Sequence, residues 1–323
     1  MTRRFAFPVL ATLLLGAPCC GTAQAEPLNT QIDIPSRTLK DADFLRGDAS
    51  AGAAVTLSGR LIVPRDASRQ PVVILLHGSD GPRSAAAGGW QDYLNSLGIA
   101  TLRLDSFTGR GIKDVSNDQN DFGQFVQLYD AYRATDVLAE HPRVDGSRIV
   151  MMGFSRGGNA ALYSAMRRFQ TAFGPSRARI VAHLPFYAAC NFELVGDLDV
   201  TDAPIRLFHG TADDWTPIAP CRAYVDRLAA AGHDATITEY AGARHAFDNV
   251  RNPAYVEHAD AQSSRNCTRR EVNGELINPD TGRAFDYSDA CVERGVSVQY
   301  NAAATDAARA TVAALFGKLF AAN

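Results

Sequence analysis

Apolar residues in this chain fall into short unbroken runs separated by stretches of helical period. Pro71 to Leu76 (Pro-Val-Val-Ile-Leu-Leu) has no polar position, as expected of a strand buried on both faces, and Ile149 to Met152 reads the same way. Alternation predicts a strand over Ala54 to Val63, and further strands follow at Ile99 to Leu104, Arg179 to Leu184, Ile205 to Phe208 and Ala235 to Tyr240. Between them lie predicted helices at Gly89 to Leu97, from Asn159 through Ala165 and Phe169, and at Pro217 to Ala231. Another helix carries the apolar face Phe125, Leu128, Tyr129, Tyr132 and Val137; it ends near His141-Pro142, and Asp121-Phe122-Gly123-Gln124 reads as its capping box. A final helix runs from Thr305 to Phe320. Residues 26–50 show no pattern and are expected to be an irregular lead-in. Alternating strands and helices imply an α/β fold, a mostly parallel sheet with helices on both faces. Right-handed crossovers then bring the strand ends to one edge.

That edge is where chemistry is expected. The strand Ile149 to Met152 runs into Gly153-Phe154-Ser155-Arg156-Gly157, a G-x-S-x-G in which flanking glycines allow a tight strand-to-helix turn that holds the serine outward. A serine hydroxyl is a weak nucleophile and needs a base, itself oriented by a carboxylate. Strand Ile205 to Phe208 leads into His209-Gly210-Thr211-Ala212-Asp213-Asp214-Trp215-Thr216-Pro217, and strand Ala235 to Tyr240 into Ala241-Gly242-Ala243-Arg244-His245. The order Ser155, Asp213, His245 is that of α/β-hydrolases. Of the seven histidines only His245 follows the last strand; His183 reads as a core residue, His141 and His233 as helix ends, His77 and His209 as loop-fixing residues, and His258 is unconstrained. Asp214 remains the rival acid. An oxyanion needs two backbone donors: Arg156, next to the serine, and Ser79, in His77-Gly78-Ser79-Asp80-Gly81 after the strand Pro71 to Leu76.

Composition sets the compartment and the partners. Arg3 and Arg4, an apolar run from Phe5 to Leu15 and Ala23-Gln24-Ala25 form a signal-peptide pattern ending at residue 25, and the run is shorter than the roughly 20 residues a spanning helix needs. Cys19 and Cys20 leave a lipoprotein signal open, without the usual leucine three residues earlier. Removing residues 1–25 takes the formal net charge from -3 to -5, and no basic patch invites nucleic acid. Cys190, Cys221, Cys267 and Cys291 then remain, an even number that in an exported chain points to two disulfides. Three pairings exist. Cys190 and Cys221 each follow a core strand, and Cys267 and Cys291 bracket one insertion, which favours 190 with 221 and 267 with 291. No C-x-x-C or paired histidines support zinc. The insertion, about residues 248–301, carries turn signals at Asn273-Gly274 and Asn278-Pro279-Asp280-Thr281-Gly282 and is expected to form a small clamped hairpin, bordering the active site or serving as a surface flap. Residues 51–323 are thus one hydrolase domain.

These stations resemble the dienelactone hydrolase family of α/β-hydrolases. The likeness covers Val72 to Phe247 and the final helix: His77-Gly78-Ser79-Asp80-Gly81, Leu104-Asp105-Ser106-Phe107 with Arg110-Gly111, Gly153-Phe154-Ser155-Arg156-Gly157-Gly158, Gly210 with Asp213 and Pro217, and His245-Ala246-Phe247. The resemblance favours Asp213 over Asp214. Arg110, on its loop at the strand edge, is the better candidate for a substrate carboxylate, with Trp215 a second substrate-contact candidate. Arg156 is expected to pair with a surface acid. Two departures stand out: the family's cysteine nucleophile is Ser155 here, and Gly78 occupies the place of its glutamate. The expected protein is a periplasmic or secreted serine esterase acting on small-molecule esters or lactones through an acyl-enzyme. It needs no cofactor, metal, nucleic acid or stable membrane anchor. A polyester or carbohydrate esterase is the alternative enzyme, and a non-catalytic binding protein on the same scaffold the alternative class.

Overall fold

The computed structural model describes residues 26–64 and 69–320, with Met1, Thr2 and Phe5. The predicted signal peptide otherwise lies outside the described residues. The lead-in is not irregular. It forms β1 (Leu28–Thr38), which pairs antiparallel with β2 (Ala53–Val63) from Leu28↔Val63 to Thr38↔Ala53, and α1 (Asp41–Leu45). Apolar periodicity missed β1 because it is an edge strand that buries only Ile34 and Ser36, and only an edge tolerates its Pro35.

β3 (Gln70–Leu76), α2 (Ala85–Ser96), β4 (Ala100–Asp105), α3 (Val126–Glu140), β5 (Val144–Phe154), α4 (Arg156–Tyr163), α5 (Arg167–Phe173) and β6 (Ile180–Phe186) follow. After the short β7 (Phe192–Glu193) come β8 (Ile205–Gly210), α6 (Ile218–Ala230) and β9 (Ala235–Tyr240). The main sheet has the order β1-β2-β4-β3-β5-β6-β8-β9, antiparallel at β1/β2 and β2/β4 and parallel beyond. Side-chain alternation divides the central strands between two cores. Val72, Ile74 and Leu76 of β3 face the core that holds α3, α4 and α6, while Val73 and Leu75 face Trp90 of α2 and Val312 of the last helix. Burial on both faces is why these runs are wholly apolar. The expected capping box is replaced by a remote contact: the Phe125 N–H at the start of α3 donates to Asp41 Oδ1 at 3.1 Å, a carboxylate from the lead-in.

The insertion is larger than one hairpin. β10 (Val256–Ser263) pairs with β14 (Glu293–Val298) as one ribbon. β11 (Arg269–Val272), β12 (Glu275–Asn278) and β13 (Arg283–Ala284) join β7 in a second sheet of order β13-β12-β11-β7. The turn between β11 and β12 is Asn273-Gly274, both at positive φ (52° and 74°), as a type I′ hairpin requires. α7 (Ala302–Leu319) closes the fold. Disulfides join Cys190 to Cys221 and Cys267 to Cys291, the pairing the sequence favours. Non-reducing peptide mapping should recover both linked pairs. Serine at both 267 and 291 should cost about 3 kcal/mol by the loop-entropy argument, read as a lower urea midpoint. Among the described residues no helix is long and apolar enough to cross a membrane.

Candidate active site

β5 ends and α4 begins at Ser155, whose φ of 55° and ψ of -116° put it in a region that non-glycine residues avoid. Two glycines make that turn possible. A Cβ on Gly153 would lie 2.0 Å from the Gly157 carbonyl oxygen, and one on Gly157 would lie 2.2 Å from the Leu76 carbonyl oxygen. The Ser155 N–H donates to the Phe186 carbonyl at 3.0 Å, tying the elbow to the end of β6. Three of the four non-glycine residues with positive φ among the described residues, Ser155, Tyr187 and Ala246, line one cleft at this sheet edge.

Ser155, His245 and Asp213 come together in one chain of hydrogen bonds. The Ser155 hydroxyl donates to His245 Nε2 at 3.0 Å, and His245 Nδ1–H donates to Asp213 Oδ2 at 2.8 Å. The serine and its histidine thus meet directly. Asp213 Oδ1 accepts the N–H groups of Trp215 (3.0 Å) and Thr216 (2.9 Å), which fixes the carboxylate. Asp214 turns away, accepting from the Ser297 N–H at 2.8 Å and the Ser297 hydroxyl at 2.6 Å. His209 Nε2 lies 3.3 Å from Asp213 Oδ2 and donates to the Thr216 carbonyl at 2.7 Å, bracing the same loop. The Thr216 hydroxyl, 3.0 Å from Asp213 Oδ2 and 3.1 Å from His245 Nδ1, completes the support.

Burial pushes the Asp213 carboxyl up, but the charge of His245 and the hydrogen bonds from His209 and His245 outweigh it and leave the group below the usual carboxylate range. A depressed folded pKa favours the folded state above the unfolded value of about 3.9, and this contribution disappears as pH falls through the folded pKa. Wild type and Asp213→Asn should therefore differ in urea midpoint near neutrality and converge below about pH 4. His77 and His183 belong to the scaffold, each held neutral by burial at about 4. His77 Nδ1–H donates to the Gly78 carbonyl at 2.8 Å and Nε2 accepts the Ser106 N–H at 3.3 Å, so it fixes the loop carrying Ser79.

That loop abuts the serine: a Cβ on Gly78 would stand 3.4 Å from Ser155 Cβ. The Arg156 N–H opens α4 and, as a first-turn donor, has no intrahelical acceptor. Two expectations for arginine side chains fail. Arg156 does not pair with a surface acid. It is buried, donating to the carbonyls of Phe122 (2.8 Å) and Gly123 (3.1 Å) and to Gln119 Oε1, because α4 packs its first turn under the 119–123 loop. Arg110 is not available to a substrate either. Its NH1 and NH2 bond both oxygens of the buried Asp130 at 2.8 Å each, and it also donates to the Arg37 carbonyl at 2.9 Å and to Thr38 Oγ1 at 2.8 Å. It straps β1 to the sheet.

Ser155 borders two hollows. One is a cleft of about 540 Å³ that also takes in His245, Tyr187, Asp80, Asp114 and His258. The other is a small pocket, termed the chamber, of about 30 Å³ beside Arg156. Trp215 lines both; its ring lies 4.9 Å from that of His245, and its indole N–H donates to the Gln262 carbonyl at 3.0 Å. A groove of about 610 Å³ lined by Arg60, Arg83 and Arg103 contains none of Ser155, Asp213 and His245. The insertion forms part of the site wall, with Gln262, Arg269 and Tyr287 at the chamber and His258 and Val298 at the cleft. Sequence reasoning missed these, along with Thr216, Tyr187 and Gln119. Thr216 could have been found, since it lies in the loop quoted for Asp213; the insertion residues carry no motif.

A serine elbow at the end of a central parallel strand, with an acid and a histidine following later strands, is the arrangement of α/β-hydrolases. A model described as the dienelactone hydrolase family matches residues 57–269, and the chain belongs to that family. Among solved structures, a dienelactone hydrolase-like promiscuous phosphotriesterase from metagenomic libraries is 18% identical, with 90% of this chain and 98% of that one covered and a TM-score of 0.57. A dienelactone hydrolase from Anabaena variabilis is 20% identical, with 68% of this chain and 89% of that one covered and a TM-score of 0.50. At such identities the shared property is the fold. No curated protein matches the chain.

Proposed function

We propose that the protein is a serine esterase working through an acyl-enzyme, with Ser155 as nucleophile, His245 as general base and acid, and Asp213 as the acid that orients it. The observation that carries this reading is the continuous hydrogen-bond chain from Ser155 Oγ to Asp213. In this scheme Oγ forms a bond to the ester carbonyl carbon while His245 Nε2 takes its proton. The tetrahedral oxyanion is held by the N–H groups of Ser79 and Arg156. Collapse breaks the carbon–oxygen bond to the alcohol, which leaves with the proton from Nε2; water then repeats the sequence and frees the acid. No step needs a cofactor.

A fluorophosphonate probe tests the reading, since it labels only an activated serine. Labelling of Ser155 in wild type is expected, and a wild-type protein that resists the probe would instead be a binding protein on a hydrolase scaffold. Asp213→Asn should lower kcat by roughly 10⁴-fold through the wrong histidine tautomer. Asp214→Asn should stay near wild type, and the reverse pattern would move the acid by one residue. The two disulfides support the further proposal that the protein works in an oxidising compartment, periplasmic or extracellular.

A further inference from the structure

The two hollows beside Ser155 become chemically distinguishable once Ser155 is read as the nucleophile, and the assignment of substrate to them rests on that reading. The departing alcohol takes its proton from His245 Nε2, so the alcohol part of an ester must lie on the histidine's side. His245 lines the cleft of about 540 Å³ and not the chamber of about 30 Å³, so the acyl part points into the chamber.

The chamber is small and polar. By this measure a water needs about 10–15 Å³, so the space takes about two water-sized bodies, room for an acetyl methyl and crowded for a butyryl chain. Its wall includes the amides of Gln119, Gln124 and Gln262 and the guanidinium groups of Arg156 and Arg269, all buried. These groups are held in place. Arg269 lies 3.6 Å over the Phe192 ring and donates to Gln124 Oε1 at 3.2 Å, while Gln262 Oε1 accepts the Gln119 N–H at 2.8 Å. An alkyl tail pushed in here would break buried hydrogen bonds and gain little apolar contact.

The cleft has the opposite charge. Asp80 and Asp114 line it, with Ser116, Asn117, Asn249 and Asn252 on one part of the wall, Phe154, Tyr187, Trp215 and Val298 as an apolar stacking surface on another, and no arginine or lysine. Carboxylates repel an anionic alcohol, and amides and hydroxyls suit one rich in hydroxyl groups. We propose that the substrates are esters of two- or three-carbon acids with uncharged or cationic polar alcohols, carbohydrate hydroxyls included, and not carboxylated esters or lactones.

The test is kinetic. It is run at about pH 8, because desolvation pushes the Asp80 carboxyl up to about 6 and the acid must be ionised. With 4-nitrophenyl esters, kcat/KM for the acetate should exceed that for the butyrate by at least about tenfold, with the hexanoate lower again. Acetylcholine should be cleaved at least as well as its uncharged isostere 3,3-dimethylbutyl acetate, and acetoxyacetate at least about tenfold more slowly than its methyl ester. Tyr287→Ala, which opens the chamber wall, should bring the butyrate within a few-fold of the acetate; Gln124→Ala serves if that variant fails to fold. Asp80→Asn combined with Asp114→Asn should remove the penalty on acetoxyacetate. Rates that are flat or rising with acyl length, or a preference for the anion, would overturn the proposal while fluorophosphonate labelling of Ser155 kept the esterase reading intact. Failure of labelling would remove both.

Discussion

Ser155→Ala is expected to lose on the order of 10⁶-fold in kcat on an activated ester, together with all fluorophosphonate labelling, and to keep its thermal stability within about 1 kcal/mol. The size of the loss follows from the arrangement, in which Ser155 Oγ is the hydroxyl that His245 Nε2 contacts. The small change in stability follows from the backbone. The strained φ of 55° is imposed by close packing at Gly153 and Gly157, and the Ser155 N–H bond to Phe186 needs no side chain, so alanine inherits the same turn. Residual turnover should come from the oxyanion donors and binding alone, roughly 10³-fold over water. Wild-type turnover in the variant would show that another group attacks the ester, and the roles given to His245 and Asp213 would fall with it.

How much of this is legible in the sequence follows a physical line. The nucleophile elbow, the strand ends and the order of Ser155, Asp213 and His245 can be read because each depends on local sequence: an apolar run, a turn that demands glycine, a polar residue just beyond. The edge strand β1 cannot, because one half-buried face leaves little periodicity. The cap of α3 cannot either, since Asp41 is 84 residues from the N–H it accepts. The arginines show the limit most clearly. Sequence puts Arg110 and Arg156 on loops near the active-site edge, but whether a guanidinium faces substrate depends on what fills its hydrogen bonds. In both cases distant groups do: Asp130 and Arg37 for one, Gln119 and the Phe122 carbonyl for the other. The insertion likewise shows its turn and its disulfide, while its wall residues Gln262, Arg269 and Tyr287 acquire meaning only where the ribbon and the second sheet dock.

Arg110→Gln separates a structural strap from a substrate-binding arginine. The side chains of Arg110 and Asp130 are 4% and 0% exposed, and the Ser36 hydroxyl also donates to the carboxylate, at 2.5 Å. Removing one partner of a buried pair leaves the other charge uncompensated, which costs about 3–5 kcal/mol, and the tie to the Arg37 carbonyl on β1 goes as well. The urea midpoint should fall accordingly. Burial already pushes the Asp130 carboxyl up against the pull of Arg110, so without the arginine the acid binds a proton more readily still. Both folded states then hold a proton that the unfolded chain releases, and the variant holds it to higher pH, so the deficit should grow as pH rises past the raised wild-type Asp130 pKa and shrink below it. Arg110→Met combined with Asp130→Leu should recover much of the loss, since an apolar pair of similar volume often replaces a buried ion pair without penalty. The ratio of kcat/KM for acetoxyacetate to that for its methyl ester should be unchanged in Arg110→Gln. A variant of wild-type stability that lost only its activity on the anion would place the guanidinium in the cleft after all, and carboxylate recognition by Arg110 would be restored.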